Sequence, residues 1–168
     1  KRDGLQFTYT IDALNRVTVK LVPERAGLAT THMRDVYYAY DLLGRQLDAR
    51  FDSLTGEGVH NVYDKPGRLT STALTMDATT RTLSYQYDAD GNRTRVTHPD
   101  SNYATYGYDG LDRPATIQRS GTSTIASYGY DNAGRRQTFN GGINTSYSYD
   151  PISRLATLTN NPAGNATY

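Results

Sequence analysis

The sequence of 168 residues contains no cysteine and no tryptophan, and only three phenylalanines and two methionines. Without cysteine, a disulfide framework and thiolate metal sites are excluded. No apolar run approaches the roughly 18 residues of a membrane-spanning helix, and no signal-peptide pattern opens the sequence. The formal net charge is +1, from 18 basic and 17 acidic side chains. Charge therefore supplies no general attraction to nucleic acid or to an anionic membrane.

Signals for helices and for catalytic sites are also missing. No stretch combines helical periodicity with helix caps, and neither a Gly-x-Ser-x-Gly elbow nor a phosphate-binding glycine loop occurs. The histidines, His32, His60 and His98, lie far apart without metal-ligand spacing, and each is interpreted as a surface or turn residue. The sequence therefore predicts an all-β chain with no catalytic, cofactor-binding or metal-binding residues.

Tyrosine is abundant, and most of it belongs to one repeated pattern, Tyr-x-Tyr-Asp-x-x-Gly-Arg. The pattern occurs seven times, with its aspartate at Asp12, Asp41, Asp64, Asp88, Asp109, Asp131 and Asp150. Successive aspartates are separated by 29, 23, 24, 21, 22 and 19 residues. A recurrence at this period is typical of an array built from one supersecondary unit.

Each aspartate begins a sequence that predicts a type I turn, followed by a residue in the left-handed conformation. This is the arrangement of a β-hairpin with a G1 bulge. The third residue after each aspartate is Asn15, Gly44, Gly67, Gly91, Asp112, Gly134 or Ser153. Six of these seven are Gly, Asn or Asp, which adopt positive φ most readily. Pro66 disfavours the right-handed conformation of Lys65, so a different turn is predicted at 64–67.

Twelve of the fifteen tyrosines lie one or three residues before an aspartate, and we call them the near and the far tyrosines. The near tyrosines are Tyr40, Tyr63, Tyr87, Tyr108, Tyr130 and Tyr149, and the far tyrosines are Tyr9, Tyr38, Tyr85, Tyr106, Tyr128 and Tyr147. A separation of two residues places both rings on one face of a strand. A dry core would not favour the hydroxyl so strongly. The pattern favours a long, mostly single-layer sheet, with water near one end of the rings, over a compact sandwich.

An arginine, which we call the turn arginine, follows the aspartate by four residues in six units. These are Arg16, Arg45, Arg68, Arg113, Arg135 and Arg154, whereas Asn92 takes this place in the fourth unit. One hypothesis is a row of anion-binding sites. The favoured alternative is internal pairing with the turn aspartate or a neighbouring tyrosine ring, because each such repeat supplies one charge of each sign.

The outgoing strands and one insertion complete the pattern. An apolar residue lies eight after the aspartate in the last four units, at Val96, Ile117, Phe139 and Leu158. Such placement is typical of strands with one half-buried face. The longest spacing, between Asp12 and Asp41, predicts an inserted loop at 23–31.

Units such as YQYDADGNRTRVTHPDS and YGYDNAGRRQTF resemble the YD repeats of RHS-repeat proteins. This family includes bacterial polymorphic toxins, the C component of insecticidal toxin complexes and the animal teneurins. The resemblance runs from about Tyr9 to the end of the chain, and the first unit departs most because Ile11 replaces the near tyrosine. The resemblance implies a β-sheet strip that spirals into a hollow cage. In the bacterial members the cage encloses a toxin segment at the C-terminus of the same polypeptide, which implies a secreted or cell-surface protein.

We therefore expect residues 1–168 to be a segment of such a shell, with about seven units and both ends cut within a repeat. Tyr168 stands where the first tyrosine of an eighth unit would stand. The expected function is a structural wall that encloses and helps to deliver a C-terminal toxin polypeptide, with the rest of the shell and that polypeptide as partners. The alternative is a cell-surface carbohydrate-binding or adhesion module that uses exposed tyrosine faces. A glycosidase is disfavoured, because an equivalent aspartate in every unit points to a structural role.

Overall fold

A computed structural model describes residues 4–162, and these residues form almost exclusively β-strands. The strands are β1 (Thr8–Ile11), β2 (Val17–Leu21), β3 (Val36–Tyr40), β4 (Gln46–Phe51), β5 (Gly58–Tyr63), β6 (Leu69–Met76), β7 (Thr79–Tyr87), β8 (Arg93–Thr97), β9 (Tyr103–Tyr108), β10 (Pro114–Arg119), β11 (Ser123–Tyr130), β12 (Arg136–Asn140), β13 (Ile143–Tyr149) and β14 (Leu155–Pro162). A 3₁₀ turn at Thr30–His32 is the one helical element of the described part. The predicted all-β class is confirmed.

The strands follow one another in the sheet in the order in which they occur in the chain, β1 to β14. The described residues form two compact units, one ending at Leu83 and the other beginning at Ser84, with the boundary inside β7. Strands in such a meander alternate in direction, so within each unit all Tyr-Asp turns lie at one end of the strands. We call this end the turn rim and the opposite end the linker rim.

Two backbone hydrogen bonds close every Tyr-Asp turn. In the sixth hairpin Asp131 N donates to Arg135 O at 2.9 Å, and Gly134 N donates to Asp131 O at 2.9 Å. The same two bonds recur in all seven hairpins, and the register shifts by one residue beside each turn. The third residue after the aspartate has positive φ throughout, from 58° at Asp112 to 98° at Gly67. This is the bulged hairpin that the repeated pattern predicts.

The turn that contains Pro66 keeps this backbone bonding. Asp64 N donates to Arg68 O at 3.0 Å, and Gly67 N donates to Asp64 O at 3.0 Å. The predicted different turn is therefore not seen in the backbone hydrogen bonds. In five other turns the N–H two residues after the aspartate donates to the carboxylate. Because proline has no N–H, Gly67 N donates to Asp64 Oδ1 instead, at 3.0 Å.

The far tyrosines and the apolar residues eight after the aspartate share one face, which we call the tyrosine face, because they are cross-strand partners. Tyr128 pairs with Phe139, and the two ring centroids are 5.4 Å apart. Equivalent pairs are Tyr38–Ala49, Tyr85–Val96, Tyr106–Ile117 and Tyr147–Leu158. Among residues 4–161 only Val96 and Ala126 are buried hydrophobic residues. The tyrosine face is therefore half-buried instead of forming an enclosed core.

On the opposite face, two hairpins have a glycine between their near and far tyrosines, and in both the cross-strand partner of this glycine is a threonine. A Cβ at Gly129 would lie 2.4 Å from Oγ1 of Thr138, its cross-strand partner. A Cβ at Gly107 would lie 2.5 Å from Oγ1 of Thr116. The small residue between the tyrosines thus leaves room for a side chain of the outgoing strand.

The linker rim carries the variation in repeat length. The predicted insertion lies in the connection between β2 and β3, at 22–35. Together with Leu5 and Phe7, this connection lines an open apolar cavity of about 510 Å³. None of the described helical residues forms a segment long and apolar enough to cross a membrane. The expected eighth-unit tyrosine, Tyr168, lies outside the described residues.

Candidate functional site at the turn rim

In six of the seven turns the aspartate binds the arginine and the backbone of its own turn. Arg135 Nε donates to Asp131 Oδ2 at 2.7 Å, while the backbone N–H groups of Ala133 and Arg135 donate to Oδ1 at 3.0 and 2.9 Å. The same Nε–Oδ2 bond joins Arg16 to Asp12, Arg45 to Asp41, Arg68 to Asp64, Arg113 to Asp109 and Arg154 to Asp150. The turn arginines thus pair internally, as the favoured hypothesis expects.

These hydrogen bonds hold the pKa values of the turn carboxylates below their ordinary range. The side-chain hydrogen bond from Arg135 contributes most to lowering the pKa of Asp131, followed by the backbone N–H of the same residue. At Asp41 burial is the largest single effect and acts to raise the pKa, but the hydrogen bonds from Arg45 and Leu43 together lower it. The direction is the same at all seven turns, so the shift singles out no individual aspartate.

The turn arginine also reaches the next hairpin, where it covers the near tyrosine. Arg113 Cζ lies 4.3 Å from the ring centroid of Tyr130, a cation–π contact. The corresponding distances are 4.7 Å for Arg16 and Tyr40, 4.9 Å for Arg45 and Tyr63, and 4.5 Å for Arg135 and Tyr149. Arg16 Nη1 further donates to Asp41 O at 3.1 Å. One side chain therefore connects two consecutive turns.

The hydroxyl of the near tyrosine points back and donates to a carbonyl of the preceding hairpin. Tyr130 Oη donates to Pro114 O at 2.9 Å. The acceptor lies five residues after the preceding aspartate in every case: Val17 for Tyr40 (2.9 Å), Gln46 for Tyr63 (3.1 Å), Arg93 for Tyr108 (3.1 Å) and Arg136 for Tyr149 (2.7 Å). We call the near tyrosine, its acceptor carbonyl and the arginine over its ring the tyrosine latch.

The tyrosine latch replaces backbone pairing where consecutive hairpins separate. Within the hairpin β11–β12, pairing continues to Tyr130 and Arg136 beside the turn. Between β10 and β11, the pair closest to the turn rim is Thr116 and Ser127. The carbonyl of Pro114 lies beyond that pair, so the backbone pairing between β10 and β11 does not reach it. It accepts a hydrogen bond from the tyrosine hydroxyl instead, which satisfies this polar group. Phenylalanine cannot make this bond, which accounts for the preference for tyrosine at the near position.

The fourth unit keeps a connection between turns although Asn92 replaces the arginine. Asn92 Nδ2 donates to Asp88 Oδ2 at 3.2 Å and to Asp112 Oδ1, in the next turn, at 2.8 Å. The following residue, Arg93, lies 5.1 Å from the ring centroid of the far tyrosine Tyr106. The amide thus links two consecutive turns by hydrogen bonds instead of a cation–π contact.

A second polar cluster lies on the opposite face of the first unit. Asp48 Oδ1 accepts from Arg50 Nε at 2.6 Å and lies 2.8 Å from His60 Nδ1. The other cross-strand partner of His60 is Ala73, which offers no nucleophile. From its sequence position His60 is predicted to be an isolated surface or turn residue, but the register of β4 against β5 brings it to a carboxylate.

The stretch containing the third and fourth turns matches a known family: residues 63–103 fit the model of the RHS repeat. Residues 63–103 therefore carry an RHS repeat. No curated protein sequence matches it.

Solved structures share the fold of this chain. The crystal structure of TcdB2-TccC3-Cdc42 superposes with a TM-score of 0.66 at 19% identity, over 87% of this chain and 9% of that one. TcdB2-TccC3 without its hypervariable C-terminal region gives 0.52 at 16%, over 92% and 10%. The Photorhabdus luminescens Tc holotoxin pore gives 0.51 at 15%, over 94% and 10%. The present chain therefore spans about a tenth of the length of each of these matched chains.

The structure separates the repeated residues of the Tyr-Asp pattern into two places. The turn aspartates, the turn arginines and the near tyrosines meet at the turn rim, while the far tyrosines lie on the tyrosine face. Sequence reasoning missed the carbonyl five residues after each aspartate, because a backbone acceptor leaves no trace in residue identity. The excess of tyrosine over phenylalanine was the one available signal for this contact. It indicated that the hydroxyl has a hydrogen-bond partner, but it did not identify the acceptor.

Proposed function

We propose that this chain is a segment, of about seven units, of the wall of an RHS-repeat shell that encloses a polypeptide and helps to deliver it. The observation that carries the proposal is the half-buried tyrosine face. Far tyrosines and apolar side chains line it, yet only Val96 and Ala126 are buried hydrophobic residues of the described part. A sheet face of this composition gains stability from contact with another layer. An enclosed polypeptide would provide that contact.

The composition of the tyrosine face suits a cargo of variable sequence. A tyrosine ring offers apolar area and a hydroxyl together, so it contacts many side chains without selecting one sequence. One structural neighbour, TcdB2-TccC3, was solved without its hypervariable C-terminal region. A wall that encloses a region of variable sequence must contact it through interactions that do not depend on that sequence. By its resemblance to the bacterial family, we propose a toxin polypeptide as the cargo, secretion as the route, and no catalytic role for this segment.

The carbohydrate-binding alternative requires clusters of ring faces open to solvent. Instead, guanidinium groups cover the rings of Tyr130 and Tyr149, and their hydroxyls are bound to backbone carbonyls. These tyrosines connect hairpins to one another and offer little surface for stacking on a sugar. The geometry of the near tyrosines therefore favours the wall.

Site-specific photocrosslinking in the native polypeptide that contains residues 1–168 tests the enclosure. A photoreactive phenylalanine replaces Tyr106 on the tyrosine face or, as the matched control, Gln118 on the opposite face. We expect the probe at 106 to crosslink to a distant segment of the same polypeptide, and the probe at 118 to give no such product. Equal crosslinking from both positions, or none from 106, would contradict enclosure.

A further inference from the structure

Strands β8 to β14, which belong to the compact unit that begins at Ser84, carry charged side chains of one sign only. They contain four arginines and no lysine, aspartate or glutamate. All seven carboxylates of residues 84–162 lie in the connections between strands. Asp109, Asp131 and Asp150 are paired there with their own turn arginines. The strands are therefore basic in this part of the sheet, although the whole chain has a net charge of only +1.

Two of the four strand arginines lie over the rings of far tyrosines. Arg93 Cζ is 5.9 Å from the ring centroid of Tyr85 and 5.1 Å from that of Tyr106, so this guanidinium lies between the far tyrosines of two consecutive hairpins. Arg136 Cζ is 4.9 Å from the ring centroid of Tyr128. Stacking uses the flat side of a guanidinium and leaves the N–H groups at its edge able to bind a carboxylate.

A third arginine, Arg119, shares the tyrosine face. It follows Ile117, the cross-strand partner of Tyr106, by two residues. Arg93, Arg119 and Arg136 are all exposed, and no carboxylate of the described residues forms an ion pair with any of them. Their strands, β8, β10 and β12, each have a neighbouring strand on both sides. This part of the tyrosine face thus carries three cations without an anion.

We propose that the tyrosine face of β8 to β12 binds a polypeptide segment in which aspartate or glutamate alternates with apolar or aromatic residues. A carboxylate accepts two parallel hydrogen bonds from the edge of an arginine, while the far tyrosines contact the apolar side chains beside it. A basic segment is repelled by the same three arginines. The inference rests on the proposed function, since the occupant is the enclosed polypeptide, and it adds the chemistry of that polypeptide.

Carbodiimide coupling in the native polypeptide that contains residues 1–168 tests this complementarity. The reagent activates a carboxylic acid, and an amine in contact with that group forms an amide bond as the urea leaves. Arg93→Lys provides an amine on the tyrosine face and keeps the positive charge. Arg95→Lys is the matched control in the same strand, because Arg95 pairs with Gln86 and Thr105 on the opposite face.

Mass spectrometry of the coupled polypeptide identifies the partner of each amine. We expect the amine at position 93 to couple to an aspartate or glutamate of the segment that the photoreactive probe at position 106 captures. The amine at position 95 should give no such product. Arg136→Lys repeats the measurement two hairpins further along the sheet and should couple to the same segment. Equal coupling from positions 93 and 95 would overturn the proposal.

Failure of this inference is distinguishable from failure of enclosure. If the probe at 106 captures a segment and neither position 93 nor position 136 couples to it, the wall encloses a polypeptide but the acidic occupant is overturned. If the probe at 106 captures no segment, enclosure is contradicted and the acidic occupant is overturned with it. Nucleic acid that copurifies with the polypeptide, together with the absence of an amide product, would also overturn it, because the polyanion bound there would not be a protein.

Discussion

At the scale of the residue, the two tyrosines of a unit differ in what their hydroxyls contact. The near hydroxyl of Tyr130 is bound to Pro114 O. The far hydroxyl of Tyr128 has no hydrogen-bond partner among the described residues, and its ring packs on Phe139 and lies under Arg136. Two chemically identical side chains therefore stabilise the sheet in different ways, one by joining hairpins and the other by covering a face.

Removing the two hydroxyls separately tests this difference. Tyr130→Phe should lower the free energy of unfolding by about 1 kcal/mol, because it leaves the carbonyl of Pro114 without its donor. Tyr128→Phe, the matched control, should change it by less than about 0.5 kcal/mol. Urea denaturation of both variants measures the difference. Equal costs at the two positions would contradict the role assigned to the latch hydroxyl.

The turn carboxylates predict sensitivity to acid. Their pKa values are lower in the folded chain than in the unfolded one, and for Asp131 the main cause is the hydrogen bond from the Arg135 side chain. Such a group stabilises the fold at pH values above its pKa in the unfolded chain, which is about 4. The stabilisation is lost as the pH falls through the pKa of the folded chain. The urea midpoint should therefore stay level from pH 7 to pH 5 and fall below about pH 4.

Asp131→Asn provides the control for this assignment. The variant should be less stable than the parent at pH 7 and should lose less stability on acidification, because one titrating carboxylate is gone. A midpoint that falls mainly between pH 7 and pH 5 would instead point to histidine and would contradict the role of the turn aspartates.

At the scale of the element, the hairpin depends on one backbone conformation. Gly134 has a φ of 78° and no neighbouring atom near the site of a Cβ except Arg113 Nη1 at 3.6 Å. Gly134→Ala should cost about 1 kcal/mol, since a non-glycine residue is strained in the left-handed region. Gly134→Asn should cost less, because asparagine adopts this conformation readily, as Asn15 does at a φ of 61°. Thermal unfolding of the two variants compares them, and a costlier Asn would contradict the explanation.

The hairpin was also the part of the structure that the sequence predicted best. Asp131 and Gly134 are separated by the same number of residues as their equivalents in the other units. Local turn chemistry determines the conformation between them independently of the rest of the chain. The pairing of Asp48 with His60 could not be predicted, because it depends on the register between two hairpins. That register follows from how the intervening linker is accommodated, and the linkers share no pattern.

At the scale of the whole molecule, both outer strands of the sheet carry unpaired backbone edges in the described part of the chain. Exposed edges favour pairing with other chains. Residues 1–168 expressed alone should therefore associate through β1 and β14, or remain partly unfolded. Light scattering and far-UV circular dichroism across a concentration series measure this. A cooperative transition of a monomer, independent of concentration, would contradict the expectation.

The contrast between the two rims has a consequence for how such a chain can change. Every connection at the turn rim has the same length, whereas those at the linker rim range from two residues, at 77–78, to fourteen, at 22–35. Insertions and deletions at the linker rim leave the tyrosine latch intact, so copies of the unit can diverge in length without losing the contacts between consecutive hairpins. The same tolerance makes the linker rim the place where a foreign loop or an affinity tag could be grafted into the chain.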